Sequence, residues 1–174
     1  MSVTIKRDGY GQVEPNHLSA PRNGQVYAQL PADMETMSIE ALQQGMYVKY
    51  DESVEKCNLT GDGEWMLVFN EEKLYDERHQ MHKDFAMTKA NAYNGVVVPR
   101  VFKTNVGDIY TTNMVKEEAL SKGEYLIVNA TNGILEKTTD KTLGEGTLTD
   151  MVWKVVKETT MPDMQPAVKI QRVQ

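Results

Sequence analysis

The 174-residue chain has a single cysteine, Cys57, so no disulfide can form within it and packing alone must hold the fold. One thiol also fits a reducing compartment. No run of about 18 apolar residues occurs that could cross a bilayer. The N-terminus, Met1-Ser-Val-Thr-Ile-Lys-Arg-Asp-Gly9, has no apolar stretch behind its basic residues. The chain therefore reads as made in the cytoplasm and neither secreted nor membrane-bound. Basic residues are in deficit: 19 Lys and Arg stand against 25 Asp and Glu, a net charge of -6 with a pI near 5.1. Phosphate binding needs clustered cations, so no nucleic-acid partner is expected. The motifs of common chemistries are missing as well. There is no Gly-x-Ser-x-Gly elbow, and the richest glycine segment, Leu143-Gly-Glu-Gly-Thr147, carries an acid that would repel phosphate.

What is present is the composition of an ordinary globular protein, 40% hydrophobic and 25% charged, long enough for one real core. Residues 1–23 hold Gly9, Gly11, Pro15, Asn16, Pro21 and Asn23 among scattered apolar residues, the marks of an extended N-terminal arm. An ordered arm without its own core lies on its own body or on a neighbouring subunit. Residues 24–174 read as a single β-rich domain. Within it, Ser38-Ile-Glu-Ala-Leu-Gln-Gln-Gly45 carries an N-cap residue, helix formers and a closing glycine, which predicts a short helix. Met46–Tyr50 and Glu64–Phe69 read as a hairpin joined through Thr60-Gly-Asp-Gly63. Residues 70–94 fit neither period and are expected to be a mixed helix and loop insertion. From Gly95 onward β-type runs follow one another, with Asn94-Gly95 and Asn132-Gly133 as two-residue hairpin turns. Gly45, Gly107 and Gly123 each precede a strand opening, a recurrence that favours β corners over an α/β sheet. The expected fold is mainly β: a small antiparallel β-barrel or sandwich with an extended N-terminal arm and one or two short helices.

Candidate chemistry is sparse. Cys57 has no histidine nearby in sequence, although His17, His79 or His82 could approach it in space; a structural role fits it better. His79-Gln-Met-His82 would put two imidazoles on one helical face with Asp76 and Asp84 within a turn, a metal-like pattern lacking the partners that make such spacings specific. A solvated or interface role is the plainer reading of that segment, and no cofactor or metal is expected. Adjacent acids such as Glu71-Glu72, Asp76-Glu77 and Glu117-Glu118 look like wet surface. Trp65 and Trp153 sit among aliphatic residues and suit the core. The eleven methionines include Met34, Met37, Met161 and Met164 in loop-like segments, where they either fill the core or form an adaptable contact surface. The chain is thus expected to have no catalytic residues.

Several segments resemble small virion proteins of tailed bacteriophages, in particular head decoration (cement) or head-fibre base proteins. They are Ile5-Lys-Arg-Asp-Gly-Tyr-Gly11, Pro99-Arg-Val-Phe-Lys-Thr-Asn-Val-Gly-Asp-Ile-Tyr-Thr-Thr-Asn113, Lys122-Gly-Glu-Tyr-Leu-Ile-Val128, Trp153-Lys-Val-Val-Lys157 and Ala167-Val-Lys-Ile-Gln-Arg-Val173. The resemblance implies a non-catalytic structural protein on the outer capsid surface. Its partner would be the major capsid protein or other virion subunits, with self-association a further candidate. For the arm, Tyr10, Val26, Tyr27 and Leu30 are the expected apolar and aromatic anchors. The alternatives are a tail or head-tail joining subunit, a metal-binding module using His79 and His82, and a β face that reads a host carbohydrate or protein.

Overall fold

The computed structural model describes residues 2–20, 26–27, 30–70, 86–88, 94, 96–138 and 151–174. These are mainly β. A six-stranded sheet contains β2 (Val13–His17), β12 (Ile109–Thr112), β14 (Tyr125–Val128), β15 (Leu135–Thr138), β16 (Val152–Thr160) and β17 (Pro166–Arg172), in the order β15-β14-β16-β17-β12-β2. A seven-stranded sheet contains β3 (Val26–Tyr27), β4 (Ala32–Asp33), β6 (Tyr47–Asp51), β7 (Lys56–Asn58), β8 (Met66–Val68), β10 (Val96–Val97) and β11 (Val101–Lys103), in the order β10-β4-β7-β6-β8-β11-β3. Two small sheets pair β1 (Ser2–Thr4) with β13 (Ala119–Ser121) and β5 (Ala41–Gln43) with β9 (Ala86–Thr88). Among the described strands pairing is antiparallel except between β4 and β7, and an isolated parallel bridge joins Val115 to Leu135. Every sheet ends in two edge strands and none closes on itself, so the barrel form of the expected fold is corrected.

The β16–β17 hairpin shows why these residues choose strands. Trp153, Val155, Val168 and Ile170 face the core while Lys154, Lys169 and Gln171 alternate outward, a period of two. A register shift between Val155 and Lys157 keeps that alternation as the strand bends. Across the molecule, Tyr47 of β6 meets Tyr110 of β12 through their hydroxyls at 2.6 Å, and the Trp153 ring stands edge-on to Tyr110 at 5.0 Å. Those three fully buried rings join the two large sheets. Each contributes roughly 2–3 kcal/mol of apolar burial.

Gly45, Gly107 and Gly123 all take positive φ, at 84°, 98° and 94°, just ahead of β6, β12 and β14. At Gly45 space is short too, since a Cβ there would stand 2.7 Å from the Met114 Cβ.

Local signals misled the reading elsewhere. The helix expected over Ser38–Gly45 is absent: Ser38 adopts φ 54°, and Ala41–Gln43 form β5 with Leu42 buried. Pairing with β9 overrides the helix propensity of Ala, Leu and Gln. The strands β6 and β8 do pair, Tyr47 with Leu67 and Val48 with Met66, but β7 intervenes in sequence and occupies the other side of β6. Asn132-Gly133 lies in a hairpin between β14 and β15, in a wider loop in which Asn129 N donates to Ile134 O. Of the expected insertion at 70–94, residues 86–88 form β9; 71–85 and 89–93 lie outside the described residues.

The N-terminal segment is extended and lies on its own body. Val3 pairs with Leu120, Val13 pairs with Thr112, and Ile5, Leu18 and Ala20 are buried in the core.

Candidate functional site

Among the described residues, hydroxyl and thiol side chains are the candidates for nucleophilic catalysis. Ser19 Oγ donates to Asp108 Oδ2 at 2.9 Å, the nearest approach to a hydrolytic pair. The same carboxylate also accepts from Ser19 N and Asn105 N, while Asn105 Nδ2 donates to Ser19 Oγ. It therefore pins residue 19 to the β11–β12 turn, and no histidine of the described residues is bonded to the hydroxyl. The Cys57 thiol is buried in β7, where burial pushes its pKa up to about 11 and keeps it protonated near neutral pH. Tyr47 and Tyr110 are likewise held protonated, each chiefly by burial. Among the described residues no three His, Cys, Asp or Glu are grouped to hold a metal ion. His79 and His82 fall outside those residues, as do Glu71, Glu72 and the 143–147 turn.

A different kind of site emerges at the turn between β16 and β17. Gln165 Oε1 accepts from Asp8 N at 3.0 Å and from Asn113 Nδ2 at 3.2 Å, while Gln165 Nε2 donates to Asp163 Oδ2 at 2.7 Å. Gln12 Nε2 donates to the same Asp163 oxygen at 2.7 Å, and Gln12 N donates to Asn113 Oδ1 at 2.7 Å. Gln12, Asn113 and Gln165 are buried, so these bonds form a satisfied polar knot between the N-terminal segment and the hairpin turn. Partial burial would raise the Asp163 pKa, but the bonds from Gln12 and Gln165 outweigh it and hold the carboxyl below its usual range.

Two apolar side chains project from that knot. Asp8 and Gln12 flank Tyr10, and Asp163 and Gln165 flank Met164, so the hydrogen bonds bring the two outward-facing residues to one end of the molecule. Tyr10 is 36% exposed and Met164 is 74% exposed. Met164 also sits at φ 71°, a left-handed conformation that costs a side-chain-bearing residue about 1–2 kcal/mol. Met34, Met37 and Met161 are buried instead and fill the core.

The other expected anchors lie elsewhere. Val26 and Tyr27 form β3, the terminal strand of the seven-stranded sheet, paired with Phe102 and Val101. Leu30 is half-buried and lines a cleft of about 420 Å³ with Tyr50, Met66 and the ion pair Lys103–Glu64, 2.7 Å long. Of the four expected anchors, Val26 and Tyr27 thus lie in the seven-stranded sheet, while Tyr10 and Leu30 lie outside the strands.

Sequence reading missed Gln12, Asn113, Asp163 and Gln165. Asp163 after Pro162 is a legible turn signal, but nothing local tells that its partner Gln12 lies 151 residues away in the chain. No helix of the described residues is long and apolar enough to cross a membrane. Comparison with known family models, curated proteins and solved structures finds no match.

Proposed function

We propose that this chain is a non-catalytic virion structural protein, a decoration or cement protein that binds the shell built by the major capsid protein of a tailed bacteriophage and stabilises it. We infer further that its two large sheets form a sandwich-like body joined at Tyr47, Tyr110 and Trp153. The observation that carries the reading is Met164: it is exposed, backbone-strained and fixed by a satisfied buried network beside exposed Tyr10. A strained residue whose side chain is mostly exposed points to a role outside its own chain. Pre-ordered apolar and aromatic anchors of this kind bind protein surfaces with little entropy left to lose. Many copies of one modest contact then stabilise an assembled shell by mass action.

Deleting residues 1–23 would not isolate the contact, because it would remove two strands together with Ile5, Leu18 and Ala20 from the core. Met164→Gly separates the roles. Relief of the left-handed strain should raise unfolding free energy by about 1 kcal/mol, while attachment to shells lacking the protein should weaken. Co-sedimentation scored by copies per shell reads attachment, and a denaturant titration reads stability. Saturable binding at many copies per shell, weakened in Met164→Gly and Tyr10→Ala, supports decoration. Binding confined to a few copies moves the protein to a head-tail joining or tail position, and no binding sinks the proposal.

A further inference from the structure

The outer face of the six-stranded sheet carries an unusual concentration of charge. Lys154 stands opposite Gln171 and Lys157 stands directly opposite Lys169, so three ammonium groups share the face that points away from Trp153, Val155 and Ile170. Lys157 is exposed and the other two are half-buried, with Lys154 Nζ 5.7 Å from the Tyr125 ring centroid. None of the three is ion-paired with an acid of the described residues. Like charges directly opposite on paired strands destabilise a sheet. The chain has six more acids than bases, yet none of the acids among the described residues forms an ion pair with this column.

The complementary surface lies on the other large sheet. The turn between β6 and β7 carries Asp51, Glu52 and Glu55 with Val54, 54% exposed, between the glutamates. Beside it opens a cleft of about 650 Å³, lined by Asp33, Asp51, Val54, Lys56 and Leu59 among others. Lys56 bonds Asp33 at 3.0 Å, and Ser53 and Asn58 donate to Asp51; these contacts hold both carboxyls below their usual range and hence ionised. One lysine against four acids leaves this end negative, with an apolar knob at its rim.

We propose that a second copy of this chain docks its Lys154–Lys157–Lys169 face on the acidic turn and cleft of the first. The contact is heterologous: each docked copy leaves one basic face and one acidic turn open, so the association repeats head to tail instead of closing as a symmetric dimer. Both complementary halves belong to one chain, whereas a phosphate-bearing partner would have to approach a net negative molecule. The inference concerns free protein and does not rest on shell binding.

Sedimentation of the purified chain at low and high salt tests it. Weight-average mass should rise with concentration at low salt and return to that of a monomer in about 0.5 M salt, where exposed charges are screened within a few ångströms. The reversed face K154E/K157E/K169E and the reversed turn E52K/E55K should each weaken self-association about tenfold or more. An equimolar mixture of the two should restore it, since each variant then offers the surface the other lacks. The single change Lys157→Glu places an acid opposite Lys169, so the fold should gain stability while association falls, which separates docking from unfolding. A native chain monomeric at low salt, association that survives either reversal, or a mixture that stays monomeric would each overturn the proposal. A chain that stays monomeric at low salt yet binds a short single-stranded oligonucleotide through these lysines would overturn it and assign the column to phosphate.

Discussion

At the seam between the large sheets, Tyr47, Tyr110 and Trp153 meet as rings, and the two tyrosines join through their hydroxyls. At the hairpin end, Gln12, Asn113, Asp163 and Gln165 meet as amides and a carboxylate joined by hydrogen bonds. Both regions are buried, but they answer to different terms. The seam depends on volume, because a smaller side chain leaves a cavity that the sheets cannot collapse to fill. The knot depends on pairing, because a deleted partner leaves buried donors and acceptors without water to replace it. The seam holds the body together, and the knot orients what the body presents.

The comparison is broken most severely at Trp153. Trp153→Ala should lower unfolding free energy by about 3–5 kcal/mol in a denaturant titration. Its Nε1 is a buried nitrogen without a hydrogen-bond partner, so Trp153→Phe should lose only packing and fall well short of that figure. A Phe variant as damaged as the Ala variant would show that the indole N–H is used. At the knot, Gln165→Ala orphans Asp8 N and Asn113 Nδ2 and should cost about 1–3 kcal/mol. The same change should release Met164 from its fixed position, read as lost protection of the 161–165 turn against hydrogen exchange. The hydroxyl pair brings the polar rule into the aromatic seam. Tyr47→Phe or Tyr110→Phe alone strands one buried hydroxyl at about 1 kcal/mol each, while the double variant removes both partners and should lie near the native value.

The two regions also differ in how far they could be read from the chain. Trp153 among valines announces a core, and the alternation of Lys154, Val155, Lys169 and Ile170 announces strands, because period and hydrophobicity are local properties. The positive-φ glycines before β6, β12 and β14 were legible for the same reason. Gln12 and Gln165 announce nothing, since a buried glutamine differs from an exposed one only by a partner far away in sequence. The N-terminal segment was legible as extended, but its strands and its buried Ile5 and Leu18 depend on β12 and β13. Ser38–Gly45 failed in the opposite sense: every local cue favoured a helix, and a strand partner supplied from residues 86–88 decided otherwise. Of the four expected anchors, Tyr10 lies at the candidate site, and Met164, weighed as a contact residue, lies on the turn that bonds the same N-terminal segment.

The smallest effect separates the regions by pH. In the knot, Asp163 is held below the carboxyl value of an unfolded chain, about 3.9, by the bonds from Gln12 and Gln165 that prevail over its partial burial. The stability it contributes is therefore complete above that unfolded value and is lost as pH falls through the lower folded value. Asp33 and Glu124, each lowered chiefly by a lysine hydrogen bond, titrate in the same direction, so the native chain alone does not isolate the knot. The difference between the native chain and Asp163→Asn does. The asparagine keeps one acceptor for the glutamines and cannot titrate, so at neutral pH it should cost about 1 kcal/mol or less, and the gap to the native chain should narrow steadily between roughly pH 4 and pH 2. The seam, whose tyrosines stay protonated throughout that range, should contribute no slope there. A gap that stays constant with pH would mean that Asp163 has the same pKa folded and unfolded, so that the bonds from Gln12 and Gln165 do not favour its ionised form.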